Sequence, residues 1–164
     1  MEPDALDRSA VDYPRAAAAG LLSGAAVEIV ATALRRFGIP LDIERMIGML
    51  FAPDKGATFG GGMVVFLALT AIVGLVYAKL MARRHRHDWW AAMPIAAVNT
   101  IVSGVLTALA PSAHPRVPTQ IDAPGPFLVA GGARSVVAFV MLHAMFGAMF
   151  GALYTWERRD RVFA

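Results

Sequence analysis

Four long apolar stretches dominate the pattern of hydrophobic and polar positions along this chain. They run from residue 16 to 34, from 62 to 81, from 89 to 110 and from 127 to 154. A bilayer core about 30 Å thick is crossed by about 20 helical residues, because an α-helix rises about 1.5 Å per residue. Each stretch meets that length. The sequence therefore predicts an all-α, integral membrane four-helix bundle, with residues 1–164 forming one transmembrane domain.

The links between the predicted spans carry their own patterns. In the first link, apolar residues at 43, 46, 47, 50 and 51 follow helical spacing, with polar residues opposite them. We predict a short amphipathic helix over about residues 41–51, lying in the membrane interface. The last link, residues 111–126, contains five prolines. Prolines at that density predict an extended loop rather than a helix.

The two halves of the chain resemble each other. The segment Val30-Ala31-Thr32-Ala33-Leu34 matches Val105-Leu106-Thr107-Ala108-Leu109, which lies 75 residues later. Gly74-Leu75-Val76-Tyr77 matches Gly151-Ala152-Leu153-Tyr154, which lies 77 residues later. The matches predict two repeated transmembrane hairpins, related by a pseudo-twofold axis along the membrane normal. The alternative is chance similarity among the common residues Ala, Leu and Gly.

Basic residues indicate the orientation of the spans. Of the 15 Lys and Arg residues, nine fall on the side of the two termini and six on the other side. By the positive-inside rule both termini are expected in the cytoplasm. The dense basic link, with Arg83, Arg84 and Arg86, is expected to contact anionic lipid headgroups. The composition, rich in Ala, Gly and Arg, favours a bacterial inner (cytoplasmic) membrane.

Glu28 is the most informative polar residue, because a charged side chain inside a span is costly and is usually paired or functional. If the fourth span begins near Phe127, Arg134 lies at the depth of Glu28. An ion pair would then clamp the first span to the fourth. If the span begins near Gly132, Arg134 lies at the interface and points outward. A functional alternative makes Glu28 a protonatable carboxylate in a proton or cation path.

Further polar residues inside the spans extend this predicted network. Asn99, Thr100 and Ser103 lie in the third span and His143 lies in the fourth. Met141 and Met145 flank His143, which raises the possibility of a copper or haem ligand. The methionines and the histidine point to different sides of one helix, however, and the other spans contain no histidine. We therefore expect His143 to hydrogen-bond between helices.

Two glycine patterns predict close helix packing. Gly20 and Gly24 are spaced by four residues in the first span, as are Gly147 and Gly151 in the fourth. This spacing lets two helix backbones approach closely. The glycines could pack the first span against the fourth, or pack two copies of the chain.

Several classes of chemistry find no support in the sequence. The chain has no cysteine, which excludes disulfides and thiolate sites. It carries none of the common phosphate-binding, zinc-protease or hydrolase motifs, and His85 and His87 alone fall short of a metal site. The net charge of +3 is explained by topology rather than by nucleic-acid binding. We expect no catalytic residues, no metal and no cofactor.

The whole-chain pattern resembles the small uncharacterised four-span proteins of bacterial inner membranes. That resemblance rests on no diagnostic motif and implies no activity. The leading hypothesis is a non-catalytic scaffold or accessory subunit that associates with another membrane protein, or with itself, through its helices. The alternative is a dimeric transporter or channel in which the intramembrane carboxylate of Glu28 couples ion movement to transport.

Overall fold

The computed structural model describes residues 11–50, 55–84 and 88–160, and that part of the chain is helical with no strands. Five α-helices follow one another: α1 (Tyr13–Arg36), α2 (Ile43–Gly48), α3 (Lys55–Arg83), α4 (Ala92–Ala113) and α5 (Ala133–Asp160). Short 3₁₀ helices precede α4 (Trp89–Ala91) and α5 (Pro126–Gly131). Four helical stretches are long and apolar enough to cross a membrane, namely Tyr13–Arg36, Thr58–Arg83, Trp89–Ala113 and Ala133–Trp156. The predicted fold class is confirmed.

Local chemistry sets where the helices begin and end. The Asp12 side chain accepts a hydrogen bond from the backbone N–H of Arg15, which caps the start of α1. The Asp88 side chain likewise accepts a hydrogen bond from the backbone N–H of Ala91, which caps the 3₁₀ helix Trp89–Ala91. Past the end of α1, Gly38 adopts a φ of +77°, a left-handed conformation that commonly terminates helices.

The fourth span begins later than the sequence pattern predicts, at Ala133 instead of Phe127. Phe127 and Leu128 have left-handed backbone angles, and Gly132 has a φ of +83°. These angles interrupt the helical path, so residues 126–131 form a separate turn above the span. The predicted amphipathic helix is also shorter, since α2 covers only Ile43–Gly48, and Phe51 lies outside the described residues. Its position in the membrane interface stays a prediction.

The helices pack in the order α3, α1, α5, α4. Helix α1 lies between α3 and α5, and α5 in turn packs on α4, whereas α3 and α4 barely touch. We call the end that carries Tyr13, Arg83 and Trp89 the tail end, and the end that carries α2 and residues 114–131 the loop end. Both predicted hairpins are present as packed pairs, but the internal repeat itself stays a prediction.

Two core clusters hold the bundle together. At the tail end, Tyr77 of α3 contacts the rings of Phe146 and Phe150 of α5 edge-on, at centroid distances of 5.5 and 5.3 Å. Small alanines of α1 and α4 complete this cluster. At the loop end, the second cluster joins α1, Leu41, Leu128 and α5 around Phe139. Neither cluster fills the space between the loop-end halves of α3 and α4.

Candidate functional site

A cavity of about 570 Å³ occupies the loop-end half of the bundle, between α3 and α4. All four spans line it, and α2 covers it at the loop end with Ile43, Met46 and Ile47. Because α3 and α4 make few contacts with each other, a gap remains between the two helices beside the cavity.

The cavity opens sideways through the gap between α3 and α4. Leu69 of α3 and both Val102 and Leu106 of α4 line the cavity, yet their exposed fractions are 46%, 50% and 61%. Side chains that face both the cavity and the outside mark its rim. Since α3 and α4 are membrane-spanning helices by length and composition, this rim faces the region that lipid would occupy.

The walls of the cavity are apolar, with a few polar groups on α4 and α5. Phe66 and Val73 of α3 and Leu142 and Phe146 of α5 are among the apolar side chains that line it. Asn99, Ser103 and His143 are the polar groups of interest at this level. A mainly apolar pocket with a few polar groups, of about 300–1,000 Å³, is the usual form of a small-molecule site.

His143 has a defined tautomer in this arrangement. Its Nδ1 lies 2.8 Å from the backbone oxygen of Phe139, and a carbonyl oxygen only accepts, so Nδ1 carries the proton and donates. The neutral ring then has Nε2 as an acceptor. The imidazole also packs against the Phe139 ring at a centroid distance of 4.3 Å, which fixes its orientation.

The polar side chains near the cavity differ in how many of their possible hydrogen bonds they make within the protein. Thr70, Thr100 and Thr107 each donate to a backbone oxygen of their own helix. Within the described residues, Asn99 and Ser103 make no such bond to their own helix, and Asn99 lies beside the buried Tyr77 hydroxyl. Asn99 and Ser103 are therefore the groups with hydrogen-bonding capacity left for a bound molecule.

The predicted Glu28–Arg134 ion pair is wrong. Glu28 pairs with Arg35 of its own helix, two turns away, and Arg134 is exposed at the start of α5. The reason is the late start of the fourth span, which leaves Arg134 at the helix end and outside the core. Of the predicted polar network, Asn99, Ser103 and His143 line one cavity, whereas Thr100 is buried on its own helix and does not line it.

Arg35 joins two buried carboxyl groups at the loop end. One of its Nη atoms donates to Glu28 Oε1, and the other donates to Glu44 Oε2 of α2 at 2.8 Å. The same guanidinium donates to the backbone oxygen of Leu41 at 2.7 Å, and it lies over the Phe59 ring of α3. Thr32 completes the cluster, since its hydroxyl lies 2.9 Å from Glu28 Oε1. Burial and the neighbouring Glu28 raise the pKa of Glu44 to about 8.

The opposite end of α2 is held by the last loop. Nε2 of His114 donates to the backbone oxygen of Met46 at 2.9 Å, and Arg116 donates to that of Met49 at 2.7 Å. These bonds satisfy carbonyl groups at the C-terminal end of a short helix, which otherwise have no partner. Helix α2 is thus hydrogen-bonded to α1 at one end and to residues 114–116 at the other, and it packs along α3, where Gly48 and Gly62 allow close backbone contact.

Sequence reasoning missed Arg35, Glu44, His114 and Arg116. A signal existed for Arg35, because positions 28, 32 and 35 fall on one helical face and carry an acid, a hydroxyl and a base. For the other three, the sequence gives no indication of what they contact. Their partners are backbone atoms or residues from other elements, which only the folded chain brings together.

The glycines of both patterns lie at helix contacts inside the bundle. A side chain at Gly20 would collide with the backbone of Thr70 and Gly74, so this glycine lets α1 and α3 approach closely. A side chain at Gly151 would collide with the backbone of Trp89, in the segment that leads into α4. The patterns therefore pack each hairpin internally instead of joining the first span to the fourth.

The basic link lies at the tail end, where Arg83 and Arg84 are exposed. Arg86, His85 and His87 lie outside the described residues. Contact of this link with anionic lipid stays a prediction. Comparisons of the chain with protein-family models, with curated proteins and with solved structures give no match.

Proposed function

We propose that this chain is a non-catalytic membrane protein that takes a hydrophobic molecule from the bilayer into the cavity between α3 and α4. The observation that carries the proposal is the sideways opening, where Leu69, Val102 and Leu106 line the cavity and are exposed at the same time. A molecule dissolved in the bilayer would reach the cavity through this opening without crossing water.

The lining favours a neutral molecule with one hydrogen-bonding group. Apolar side chains dominate the walls, so an alkyl or isoprenoid chain can pass from lipid into the cavity without a hydrophobic penalty. Because lipid tails are as apolar as these side chains, selectivity for one molecule must come from packing and hydrogen bonds. Asn99, Ser103 and Nε2 of His143 offer hydrogen bonds at one wall. The charged residue that lines the cavity, Glu44, is already bound by Arg35, so nothing in the described lining selects a charged ligand.

Filling the mouth of the cavity tests the proposal. Leu106→Trp places a large ring at the rim, while Val105→Trp, one residue away and similarly exposed, lies outside the lining. Both variants would be extracted from native membranes in mild detergent, and the bound small molecules would be measured by mass spectrometry. We expect a molecule to co-purify with the native chain and with Val105→Trp. Its amount should fall at least about tenfold with Leu106→Trp, which corresponds to about 1.4 kcal/mol of binding free energy. Equal amounts with all three chains would contradict the proposal.

A scaffold or accessory-subunit role is the second candidate. The glycines expected to serve it are used inside each hairpin, so a partner would have to bind another surface. Helix α4 offers one, because Val98, Ile101 and Val105 are exposed along one face. The same extraction tests this role: a polypeptide that co-purifies with the native chain and is lost with Val105→Trp would support it.

We further propose that the chain lies in a bacterial inner membrane with both termini in the cytoplasm. By the order of the spans along the sequence, nine Lys and Arg residues belong to the tail-end segments and six to the loop-end segments. Arg35 and Arg116 of the six, and Arg15 of the nine, donate hydrogen bonds within the fold, which leaves the bias toward the tail end in place. Since the chain has no cysteine, single cysteines at Arg84 and Ser112 can be labelled from outside intact cells. We expect a membrane-impermeant reagent to label the cysteine at position 112 and not the one at position 84. Labelling at position 84 alone would show the opposite orientation.

A further inference from the structure

The cavity cover α2 is attached to α1 through one cation and two acids. Glu28 and Glu44 are only 5% and 4% exposed, and the guanidinium of Arg35 lies between them. Two carboxylates and one guanidinium carry a net charge of −1. A net charge in such a buried place is unfavourable unless a further positive group or a proton neutralises it.

The hydrogen bonds of the two carboxyl groups also indicate that a positive group or a proton is needed between them. Glu28 uses Oε1 for Arg35 and Thr32, while its Oε2 is buried and has no hydrogen-bond partner among the described residues. The Glu44 carboxyl binds the other side of the same guanidinium, close enough for Glu28 to raise its pKa. Two carboxylates cannot hydrogen-bond each other, but a carboxylic acid and a carboxylate can share one proton. One proton would therefore satisfy Oε2 and bring the cluster to neutrality.

We propose that Glu28 and Glu44 share one proton that holds α2 over the cavity, and that loss of this proton releases α2 and opens the loop end. The inference rests on the proposed function, because the cavity that α2 covers is the binding site proposed above. Since Glu44 also lines that cavity, proton loss and access to the site would be coupled directly.

The geometry indicates how α2 would move. Proton loss places two negative charges beside one cation, which weakens the attachment of α2 to α1 at Glu44. The bonds from His114 to Met46 and from Arg116 to Met49 do not involve either carboxyl group. Helix α2 also packs closely on α3, where the backbones of Glu44 and Gly48 lie against Gly62 and Thr58. We therefore expect the end of α2 near Met49 to stay attached, while the end near Ile43 moves away from α1 along the surface of α3.

Other charged groups around the cluster do not supply the missing positive charge in the described part of the chain. From α1, Arg36 is exposed; from the α2 segment, Asp42 adds negative charge and Arg45 is exposed. From α5, Arg134 is exposed at the helix start. Among the described side chains of α3, Phe59 faces Arg35, and the charged residues Lys79 and Arg83 lie near the tail end. His114 and Arg116 face the opposite end of α2.

Distances between spin labels test the movement without any ligand. The cysteine-free chain allows Arg45→Cys on α2 to be paired with Leu22→Cys on α1, both at exposed positions. Leu22→Cys with Leu109→Cys on α4 is the control pair. Double electron–electron resonance would be recorded in nanodiscs at pH 6.5 and 9.5. We expect the Arg45–Leu22 distance to change with a midpoint near pH 8, where Glu44 titrates, and the control distance to stay constant.

Amide variants separate proton binding from a general effect of pH. Glu44→Gln and Glu28→Gln each leave one carboxylate for Arg35, so either should keep α2 in place at both pH values. Either variant suffices if the other does not fold. Constant distances in the native chain, or a variant that shifts as the native chain does, would overturn the inference. The proposed function would survive that result, because the extraction with Leu106→Trp does not depend on the movement of α2.

Discussion

At the scale of single residues, the buried carboxyl groups of Glu28 and Glu44 and the guanidinium of Arg35 between them hold the loop end together. Glu28 stands out in any reading, because a carboxylate inside an apolar span needs a partner. The sequence carries a signal for its partner, since Arg35 lies on the same helical face, but whether Arg134 reaches Glu28 instead depends on the backbone angles of Gly132 and its neighbours. His143 was expected to hydrogen-bond between helices. It instead donates to its own helix and faces a cavity.

Glu44 gives the protein a stability that depends on pH. Its pKa is raised by burial from 4.5 to about 8, so between these values the folded chain binds a proton that the unfolded chain has lost. Stability contributed by that proton is fully present below about pH 4.5 and is lost as the pH rises through about 8. We expect the melting temperature in detergent to fall over this range.

Two variants test the origin of that fall. Glu44→Gln should flatten the dependence of the melting temperature between pH 5 and 9, because the amide does not titrate. Asp42→Asn removes an exposed carboxylate close to the same helix and should leave the dependence as it is. If Asp42→Asn flattened the profile as much as Glu44→Gln, the assignment to Glu44 would be wrong.

At the scale of helices, the length of the apolar stretches predicts where the spans lie, but it does not predict which helices pack against each other. The first three spans agree with their predicted ranges to within four residues at each end. The glycine spacing indicated close packing, but it could not tell which helix lies opposite. Gly20 meets α3 and Gly151 meets the segment before α4, because each hairpin closes on itself. Helix α2 is short because Met49 and Leu50 form a turn after Gly48.

Because α1 and α3 approach closely at Gly20, we expect that adding one methyl group there lowers the stability of the fold. Gly20→Ala would place its Cβ against the backbone of Thr70 and Gly74, which cannot rotate away as a side chain could. We expect a loss of about 1–3 kcal/mol, typical of overpacking, measured as a lower melting temperature in detergent. Gly61→Ala is the matched control on α3. Its Cβ would meet nothing, so the better helix propensity of Ala should leave stability equal or higher. Equal losses at both positions would refute the packing explanation.

At the scale of the whole molecule, the cavity arises from the order in which the helices pack. Because α1 lies between α3 and α5, and α4 packs mainly on α5 and on residues 126–131, the loop-end halves of α3 and α4 remain apart. The sequence contains no signal for this order. Asn99, Ser103 and His143 could be recognised as unusual in a span, yet their meeting in one cavity follows from the packing alone.

Photo-crosslinking from inside the cavity shows whether the cavity holds a selected molecule. Phe66 lines the cavity, whereas Val64 of the same helix is 69% exposed and lies outside the lining. Benzoylphenylalanine at each position, irradiated in native membranes, would capture the molecules in contact with it. We predict that position 66 yields one discrete adduct mass, and that position 64 yields a mixture matching the bulk lipid. The same mixture at both positions would show that the cavity selects nothing, and would contradict the proposed function.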